Sequence, residues 1–593
     1  MPAPALGSAV YDVDMTWFNE GLAQQFSEIA TLLRLAGDDP FRVRAYERSA
    51  DAIRATTKDL STLSPSELAG IKGIGASTAS KITEYLETGT IRLLAQLREQ
   101  VPPGMVELTR IPGLGPKTAK LLHERLGVSS LDALRDAIEA GQLRDLPGLG
   151  AKTEANLRVA LERMGVKDLN RVPAADALPI AHGLSARLCA LPQATQVACA
   201  GSLRRMRETT GDIDLLVAST EPGPVMEALR ASDLVREVIA AGEKKTSVIT
   251  VRGIQADLRV VEPESWGAAL IYFTGSKAHN VRIRERAVRR GLTLNEYGLF
   301  KKDSGERVAG RTEEDVYAAL GMSWVPPPMR EDTGEVQAAA ESTLPRVVQV
   351  EDVRGDLHGH SNWSGDGKAS LEEMVAAAAA RGYDYWAVTD HAEGLSMNGL
   401  SREQMLARRK VISALQRRYA DLRILDGAEL NIGIDGALDY DLDFLLAFDF
   451  CVASVHTLMN RPAHEQTERI IRAIQHPAVH VIGHPTGRKI GRRPGYGVDL
   501  DAIIQAAVEY GVALEVNASP WRLDLSGDLI RRAVEAGATL AISSDAHSVG
   551  DLANMPYGVA TAQRGWATPD HILNCRDLDS LLAFVEAKRA TAR

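Results

Sequence analysis

Histidines and carboxylates recur in short clusters along the last two-fifths of the chain, where ten of the 13 histidines lie. Imidazole and carboxylate groups together suit Zn²⁺, Mn²⁺ or Fe²⁺ rather than a cation that takes oxygen ligands only. Each cluster ends an apolar run, so the pattern predicts polar groups at the carboxyl ends of barrel strands, where active sites lie. The clusters are Asp-Leu-His-Gly-His (356–360), Thr-Asp-His (389–391), Glu-Leu-Asn (429–431), Ser-Val-His (454–456), Gly-His-Pro (483–485) and Ser-Asp-Ala-His (544–547).

A single histidine is more often a packed or surface residue than a metal ligand. Six clusters in one pattern favour a metal site over packing. Metal ions held together would generate hydroxide near neutral pH and stabilise charge on a phosphorus centre. We therefore expect this part of the chain to hold metal ions.

A second arrangement of carboxylates lies in the middle of the chain, in Asp212-Ile213-Asp214. On a strand, residues i and i+2 face the same side, so both carboxylates converge and suit Mg²⁺ or Mn²⁺ bridged to substrate phosphates. The preceding Gly-Ser-Leu-Arg-Arg (201–205) offers backbone and guanidinium groups to a triphosphate. Asp257, on a later predicted strand, is a candidate third carboxylate. An Asp-x-Asp pair can also be a polar strand edge, but the Gly-Ser motif favours the metal site.

A glycine motif recurs three times in the first 150 residues, each time before a helical pattern. Such a turn brings the N–H groups of a helix N-terminus close to a phosphate, a contact independent of base sequence. The alternative is helix caps without a ligand, but three copies at similar spacing favour DNA binding. The copies are Ile-Lys-Gly-Ile-Gly (71–75), Ile-Pro-Gly-Leu-Gly (111–115) and Leu-Pro-Gly-Leu-Gly (146–150), with Gly73, Gly75, Gly113, Gly115, Gly148 and Gly150 as the candidate DNA-binding residues.

The composition is that of a globular protein of several domains, since 593 residues exceed what one core supports. The net charge of −10 argues weakly against nucleic acid, whereas residues 281–290 carry five arginines against one glutamate. No apolar run approaches the length of a membrane helix, and no secretory signal is visible. The four cysteines lack metal-like spacing, so we expect free thiols in the cytoplasm.

The hairpin turns resemble helix-hairpin-helix motifs, and the middle of the chain resembles the X family of DNA polymerases. The resemblance rests on Gly-Ser…Gly-Asp-Ile-Asp (201–214), Tyr-Phe-Thr-Gly-Ser (272–276) and Leu-Asn-Glu-Tyr-Gly-Leu (294–299), and residues 108–119 are similar to the second hairpin of DNA polymerase beta. It implies a template-directed polymerase that takes deoxynucleoside triphosphates and gapped or nicked DNA. The implied roles are metal binding for Asp212, Asp214 and Asp257, triphosphate binding for Gly201, Ser202 and Arg205, sugar discrimination for Tyr272, Phe273 and Gly275, and contact with the nascent base pair for Asn280 and Arg284.

Some X-family members carry a 5′-deoxyribose-phosphate lyase that works through a Schiff-base lysine. Lys81 matches the position of that lysine in Gly-Ile-Gly-Ala-Ser-Thr-Ala-Ser-Lys-Ile (73–82). Ser77 and Arg42 depart from the basic pattern of the animal enzyme, so an exposed lysine at a helix start is the alternative interpretation.

The histidine-rich part resembles the PHP (polymerase and histidinol phosphatase) superfamily, which binds up to three metal ions in a distorted barrel. The Ser-Gly-Asp-Gly turn at 364–367 is one residue longer than the usual turn of the family. His464, His476, His480 and His571 fall outside the motif, so we expect them to be ordinary packing or surface residues. The implied ligands are His358, His360, Asp366, His391, Glu429, His456, His484, Asp545 and His547.

These patterns predict a multidomain chain of α and α/β classes. The function that they favour is a gap-filling polymerase with a metal-dependent 3′–5′ exonuclease, acting in base excision or end-joining repair. The alternative is a polymerase whose PHP domain is structural. We expect a nucleoid-associated monomer without membrane contact. The predicted parts are a helical, lyase-like domain (1–95), helix-hairpin-helix fingers (96–172), a nucleotidyltransferase palm (173–262), an α+β thumb (263–330), a linker (331–350) and a distorted (β/α) barrel (351–593).

Overall fold

The computed structural model describes residues 17–590 except 57–59, 61–62, 72, 89, 110, 112–113, 148, 151–152, 155–156, 159–170 and 396. The chain forms two compact units. The first comprises Met1–Val172, Pro179–Leu191 and Gly223–Leu258. The second comprises Pro173–Leu178, Pro192–Pro222 and Arg259–Arg593.

The N-terminal part of the first unit is helical, as the sequence predicts. Local signals set the helix ends: Asp39 caps α2 by accepting from the N–H of Phe41, and Ser64 and Glu67 form a reciprocal capping box on α3. Helix α1 presents Leu22, Phe26 and other buried apolar residues to a core shared by all these helices. The helices are α1 (Trp17–Ala36), α2 (Pro40–Ala55), α3 (Pro65–Ala69), α4 (Ala76–Thr88), α5 (Arg92–Gln100), α6 (Pro103–Leu108), α7 (Pro116–Leu126) and α8 (Leu131–Glu139).

The middle of the chain alternates strands and helices, and it passes between the two units within β1, α9, α11 and β7. In the second unit, β2 pairs antiparallel with β4, with Cys199 opposite Leu215. In the first unit, β5 pairs antiparallel with β6, with Val238 opposite Val248. The elements are β1 (Val172–Pro173), α9 (Ala174–Cys189), β2 (Gln196–Cys199), α10 (Gly201–Arg204), β3 (Thr209–Thr210), β4 (Asp212–Ala218), α11 (Pro222–Arg230), β5 (Val235–Ala241), β6 (Lys245–Thr250) and β7 (Gln255–Val261).

The next part of the second unit is a small α+β layer in which a three-stranded antiparallel sheet, order β10-β9-β8, packs with helices. Its core includes Ile271, Ile283 and Tyr317. Residues 331–350, predicted as a linker, contain a helix whose Glu335 and Ala339 are buried. The elements are α12 (Trp266–Thr274), α13 (Lys277–Arg289), β8 (Leu292–Asn295), β9 (Gly298–Lys301), β10 (Arg307–Ala309), α14 (Glu313–Ala319) and α15 (Glu335–Glu341).

A buried charge network ties this layer to α10. The Glu313 carboxylate accepts hydrogen bonds from Arg204, with N–O distances of 2.8 and 3.0 Å, and from Arg330, at 2.7 and 2.9 Å. The indole N–H of Trp324 donates to the same carboxylate at 3.0 Å. Burial opposes ionisation of Glu313, but the two guanidinium groups outweigh it and hold its pKa well below the ordinary value. The network therefore holds an ionised carboxylate inside the protein.

The C-terminal part of the second unit is a nearly closed parallel barrel of seven strands in sequential order, β11 to β17. A bridge between Gly359 and Ala546 joins the two ends. The strands are β11 (Gly355–Gly359), β12 (Tyr385–Val388), β13 (Arg423–Asn431), β14 (Phe450–Ser454), β15 (Val481–Ile482), β16 (Ala513–Asn517) and β17 (Leu540–Ser543). The helices are α16 (Leu371–Ala380), α17 (Arg402–Gln416), α18 (Leu442–Leu446), α19 (Ala463–Gln475), α20 (Leu500–Tyr510), α21 (Gly527–Glu535), α22 (Met555–Arg564) and α23 (Leu578–Arg589).

The strands of the barrel are buried, as expected where helices cover a parallel sheet. Within the second unit, the barrel also contacts the segment between α10 and β3. Arg488 lies 2.9 Å from Glu208, and Arg564 donates to the carbonyl of Arg205. The helical N-terminal part, the mixed middle and the parallel barrel confirm the predicted fold class.

Candidate metal and nucleotide sites

The predicted metal ligands of the barrel converge at the carboxyl ends of its strands. Eight of the nine fall in three groups, and within each group the ligand atoms lie within 4.8 Å of one another. The ninth, His484, places Nε2 3.1 Å from Oε1 of Glu429. The groups are His360, Asp366, His391 and His547; His358, His360 and Asp545; and His391, Glu429 and His456.

Glu429, at the end of β13, occupies the middle of this cluster. Its carboxylate lies 2.9 Å from Nδ1 of His391 and 3.1 Å from Nε2 of His456. It also lies 3.4 Å from Nε2 of His358. Such a carboxylate would hold a metal ion together with the histidines that face it.

Asp366 joins the cluster although its turn is one residue longer than expected. Its Oδ2 lies 3.1 Å from Nε2 of His391 and 3.4 Å from Nε2 of His547. The amide of Asn398 donates to the same oxygen at 2.9 Å. The extra residue therefore does not displace the carboxylate.

The donor set fits divalent cations. Within the described residues, Nε2 of His358 and both ring nitrogens of His360 are buried without a hydrogen-bond partner. Burial in a protein requires such groups to have a partner, and a bound cation supplies one. Burial and the neighbouring histidines lower the pKa of His360 to about 4, so its ring is neutral, the form that binds metal.

Two of the predicted ligands adopt unusual backbone conformations. His484 has φ of 28° and Asp545 has φ of 52°, a region that residues with a side chain rarely adopt. Such conformations cost about 1–3 kcal/mol each and are found mainly at functional sites. The backbone is therefore strained at two of the positions that face the cluster.

Glu515, at the middle of β16, is not among the site residues predicted from the sequence. Its carboxylate lies 2.7 Å from Nδ1 of His358 and accepts from the N–H of His484 at 2.6 Å. A carboxylate on the far nitrogen of a metal-binding histidine fixes the orientation of the ring. Asn517, two residues further on the same face, donates to Asp545 at 3.0 Å. A glutamate and an asparagine at positions i and i+2 of an apolar strand were the available signal.

Histidines outside the motif are placed as expected for packing residues. His480 is fully buried, stacks on Phe450 and accepts from the N–H of Cys451 at 2.9 Å. Burial lowers its pKa to about 3. His476 and His571 make hydrogen bonds within local turns. The four cysteines are free thiols.

The Gly-Ser motif forms a tight loop beside the predicted polymerase ligands. Gly201 has φ of +61°, and a Cβ there would strike the carboxylate of Asp214. The Ser202 hydroxyl lies 2.7 Å from that of Thr210, which donates to the carbonyl of Asp212 at 2.6 Å. Glycine is therefore required for the loop to approach the acidic pair.

The acidic pair lies as the strand alternation predicts. Asp212 is exposed and Asp214 half-buried, whereas Ile213 between them is buried in the core. Asp257 belongs to the first unit, where Lys245 lies 2.9 Å from its Oδ2. Burial opposes the ionisation of Asp257, but hydrogen bonds from Lys245, Gln255 and Ser247, together with the charge of Lys245, outweigh it and lower the pKa. Convergence of Asp257 with the pair stays a prediction.

The predicted sugar and base contacts cluster around the C-terminus of α12. The rings of Tyr272 and Phe273 meet edge to face at 4.9 Å, and the Arg284 guanidinium lies 4.9 Å above Tyr272. The Asn280 amide donates to the carbonyl of Tyr272 at 2.8 Å. Its Oδ1 is buried without a partner among the described residues, so it can accept from a ligand.

Arg205, which belongs to the Gly-Ser-Leu-Arg-Arg motif, reaches the C-terminus of α12. Its guanidinium bonds the carbonyl of Thr274, next to Gly275, and lies 2.9 Å from Glu331. Gly275 has φ of +72°, and a Cβ there would lie 3.0 Å from this guanidinium. The structure thus brings Arg205 and Gly275 together, as the nucleotide-site prediction requires.

The glycine turns of the first unit share one hydrogen-bond pattern. Backbone N–H groups of Ile74, Leu114 and Leu149 each bond the carbonyl three residues earlier, at 2.9 to 3.0 Å. The glycines at 75 and 115 then accept from the helix that follows. The repeat is therefore structural as well as sequential. Gly113 and Gly148 lie outside the described residues.

Lys81 is on α4, four residues after Ser77. Its ammonium donates to the Ser77 hydroxyl at 3.1 Å and lies 5.8 Å from the ring centre of Tyr46. These contacts place the amine on the surface of the hairpin helix, where it is half-buried.

The described residues thus join helical hairpins and a small α+β layer to a parallel barrel whose strand ends carry a cluster of side chains that could hold metal ions. Comparison with known families gives four matches. They are "Helix-hairpin-helix domain" at residues 18–91, "SAM-like Helix-hairpin-helix tandem" at 105–163, "DNA polymerase beta thumb" at 269–331 and "PHP domain" at 356–519.

The chain is 38% identical over 561 residues to a Bacillus subtilis (strain 168) protein named "DNA polymerase/3'-5' exonuclease PolX", covering 94% of this chain and 97% of that one. It belongs to the X family of DNA polymerases with a C-terminal PHP domain. Rattus norvegicus DNA polymerase lambda is 27% identical over 53% of this chain and 57% of its own. A Thermoanaerobacter protein named "Probable phosphatase" is 29% identical over 40% of this chain and 95% of its own. Among the described residues, no helix is long and apolar enough to cross a membrane.

Proposed function

We propose that the protein is a template-directed, gap-filling DNA polymerase that also removes nucleotides from 3′ ends, and that it acts in DNA repair. The observation that carries the proposal is the presence of two separate sets of metal-binding groups on one chain. One is the acidic pair beside the Gly-Ser loop, and the other is the cluster at the end of the barrel. Trimming a damaged 3′ end and then filling the gap joins both activities into one pathway.

In nucleotide addition, Mg²⁺ or Mn²⁺ held by Asp212, Asp214 and Asp257 would neutralise charge at the α-phosphate during in-line attack by the primer 3′-hydroxyl. The N–H groups of the Gly201–Ser202 turn and the Arg205 guanidinium bind the triphosphate. Arg205 is held in place by Glu331, which leaves the direction of its guanidinium fixed before substrate arrives.

The sugar and base of the incoming nucleotide pack against the C-terminus of α12. Tyr272 and Phe273 limit the space beside the sugar, and Gly275 lets the backbone approach it. Asn280 and Arg284 contact the nascent base pair, and the buried Oδ1 of Asn280 accepts from a base or sugar donor.

In the barrel, up to three divalent ions, Zn²⁺, Mn²⁺ or Fe²⁺, would supply a hydroxide nucleophile and stabilise charge on phosphorus. The nine clustered side chains would hold these ions. Glu515 orients the His358 ring through Nδ1. Lys81 is a candidate Schiff-base residue for a lyase activity of the first unit. We expect a nucleoid-associated monomer.

The proposal is tested on a labelled duplex with a one-nucleotide gap, in Mn²⁺, with and without deoxynucleoside triphosphates. Wild type is expected to fill the gap and, without nucleotides, to degrade the 3′ end. The double variant His358→Ala/His360→Ala should fill the gap but not degrade the end. A His464→Ala variant, which changes a histidine outside the cluster, is the matched control and should keep both activities.

The alternative, a structural barrel, predicts a different result of the same assay. Wild type would fill the gap, leave the 3′ end intact and purify without bound metal. Degradation that survives in the double variant would instead place the nuclease outside the barrel cluster.

Replacing Tyr272 with alanine is expected to increase incorporation of ribonucleotides relative to deoxynucleotides by about tenfold or more, since one lost steric contact is worth roughly 1–3 kcal/mol of discrimination. The ratio of kcat/KM for the two nucleotides measures the effect. Tyr297→Ala, which removes an exposed tyrosine, is the control. Unchanged selectivity in Tyr272→Ala would remove this residue from the sugar site.

A further inference from the structure

The cavity above the metal-binding cluster has a volume of about 330 Å³. This is at the low end of the range for small-molecule sites, about 300–1,000 Å³. One nucleotide unit of a DNA strand can occupy such a cavity, and the units before it must lie over the rim. The residues of the rim therefore decide whether a polynucleotide or only a small phosphate ester is bound well.

Two loops form a basic side of this rim. Residues 486–498 contain four cations, Arg488, Lys489, Arg492 and Arg493, and no carboxylate. The second loop, 519–523, adds Arg522. Of these residues, Lys489, Arg492 and Arg522 line the cavity. We call the two loops the basic rim. The cluster beneath the basic rim is rich in carboxylates. The positive charges of this cavity therefore lie at the basic rim, where a strand would enter.

Arg522 reaches from the basic rim to the metal-binding cluster. Its Nε lies 3.4 Å from Oδ2 of Asp545, and its side chain is 14% exposed. Its Nη1 is buried without a hydrogen-bond partner among the described residues. A guanidinium can bind a carboxylate and a phosphate through different N–H groups. Arg522 is therefore poised to bind the phosphate that reaches the cluster.

Trp521 supplies a flat apolar surface next to these charges. Its half-buried ring lines the cavity, and the Arg492 guanidinium stacks 3.8 Å from its centre. Nucleic-acid bases stack on aromatic rings irrespective of base identity. An aromatic ring flanked by cations is the arrangement that binds single-stranded nucleic acid without sequence preference.

The basic rim is held in place before substrate binds. The N–H of Ile490 bonds the carbonyl of Trp521 at 2.7 Å, which joins the two loops. Arg488 donates to the carbonyl of Arg522 at 2.9 Å. Because these bonds fix the loops, little conformational entropy is lost when a strand is bound.

We propose that the basic rim is a binding subsite for the single-stranded 3′ end of DNA. Arg522 binds the phosphate at the cluster, Lys489 binds a neighbouring phosphate, and a base stacks on Trp521. This inference rests on the proposed nuclease function and specifies how its substrate is held. A small phosphodiester uses the cluster and Arg522 but not Lys489 or Trp521.

The test compares two substrates on the full chain in Mn²⁺: a labelled single-stranded oligonucleotide and bis(p-nitrophenyl) phosphate. Trp521→Ala is expected to lower kcat/KM for the oligonucleotide by about tenfold, because the base loses the ring on which it stacks. Hydrolysis of the small diester and gap filling should stay at the wild-type level. Trp521→Phe, which keeps an aromatic ring, should restore most of the loss.

A second readout isolates the phosphate contact. For single strands, the logarithm of affinity falls with the logarithm of salt concentration by about 0.7 per phosphate contact. Lys489→Gln should therefore reduce the salt slope of kcat/KM for the oligonucleotide by about 0.7. Lys410→Gln, which removes an exposed lysine on α17, is the matched control and should keep the wild-type slope.

The outcomes distinguish a failure of the rim proposal from a failure of the proposed nuclease function. If wild type degrades DNA and the Trp521 and Lys489 variants match it, the basic rim is not a strand subsite. An equal loss on DNA and on the small diester would also overturn the proposal, because the variants then damage the cluster itself. If wild type hydrolyses the small diester but no DNA, the proposed nuclease function fails, and the rim proposal fails with it.

Discussion

Replacing Asp214 with asparagine is expected to reduce nucleotide addition by at least about a thousandfold and to leave removal of 3′ nucleotides at the wild-type rate. A metal ion bound by this carboxylate contributes several kcal/mol to the transition state, and each 1.4 kcal/mol corresponds to a factor of ten. The measurement is the single-turnover rate of gap filling, compared with 3′ degradation on the same DNA.

Asparagine is the informative substitution because space at Asp214 is limited. The Asp214 carboxylate lies where a Cβ of residue 201 would be, and the backbone N–H of Ala200 bonds the Asp214 carbonyl at 2.8 Å. An amide of the same shape keeps this packing and removes the charge. Asp303→Asn, in an exposed turn between β9 and β10, is the matched control and should keep full activity.

Loss of both activities in Asp214→Asn would mean that the two sites are not independent. Retention of nucleotide addition would mean that Asp214 does not bind the catalytic metal. The reciprocal variant, His358→Ala/His360→Ala, should keep nucleotide addition and lose degradation of the 3′ end.

Replacing Glu313 with glutamine is expected to destabilise the layer around α14 by about 3–5 kcal/mol, the usual cost of removing one partner of a buried ion pair. Arg330 is fully buried, the Arg204 side chain is 16% exposed, and a neutral amide leaves their charges unpaired. The measurement is amide hydrogen exchange. We expect the amides of α12 and α14 to exchange at least about a hundredfold faster, because this layer opens more often. Glu314→Gln, the exposed neighbour, should exchange at the wild-type rate.

The same carboxylate predicts a pH dependence. The folded-state pKa of Glu313 lies below its ordinary value of 4.5, so its contribution to stability is present above that value. The contribution is lost as pH falls below about 4.5 and protons bind preferentially to the unfolded chain. Thermal unfolding between about pH 5 and pH 3 should show this loss in wild type. A Glu313→Gln protein with the same pH dependence would assign the loss to other groups.

Regular spacing explains which parts of the sites could be predicted from the sequence. Alternation along one strand places Asp212 and Asp214 on one side, and it does the same for His358 and His360. The glycine turns repeat one local hydrogen-bond pattern, so three similar segments predict three similar structures. In each case the interactions that decide the structure are local.

Contacts between distant segments explain what could not be predicted. Glu515 orients His358 across 157 residues of sequence, and Glu313 meets Arg204 across 109. Neither pair has a spacing that a local pattern can report. The same is true of Arg522, whose approach to Asp545 depends on a turn held by Arg488. The family resemblance predicts the ligands, but the residues that orient them are brought into place only by the fold.

The order of the barrel strands has a consequence for how the protein is made. His358 and His360 come from β11 and the loop after it, whereas Asp545 and His547 follow β17, and the N–H of Ser544 bonds Asp356 across 188 residues. Strands that pair in sequential order can assemble as the chain is synthesised, but this last contact has to wait for β17. A nascent chain therefore lacks the complete set of predicted ligands until the residues after β17 have been synthesised. Metal binding by the full cluster would then require β17, and a chain that stops before β17 would lack Asp545 and His547.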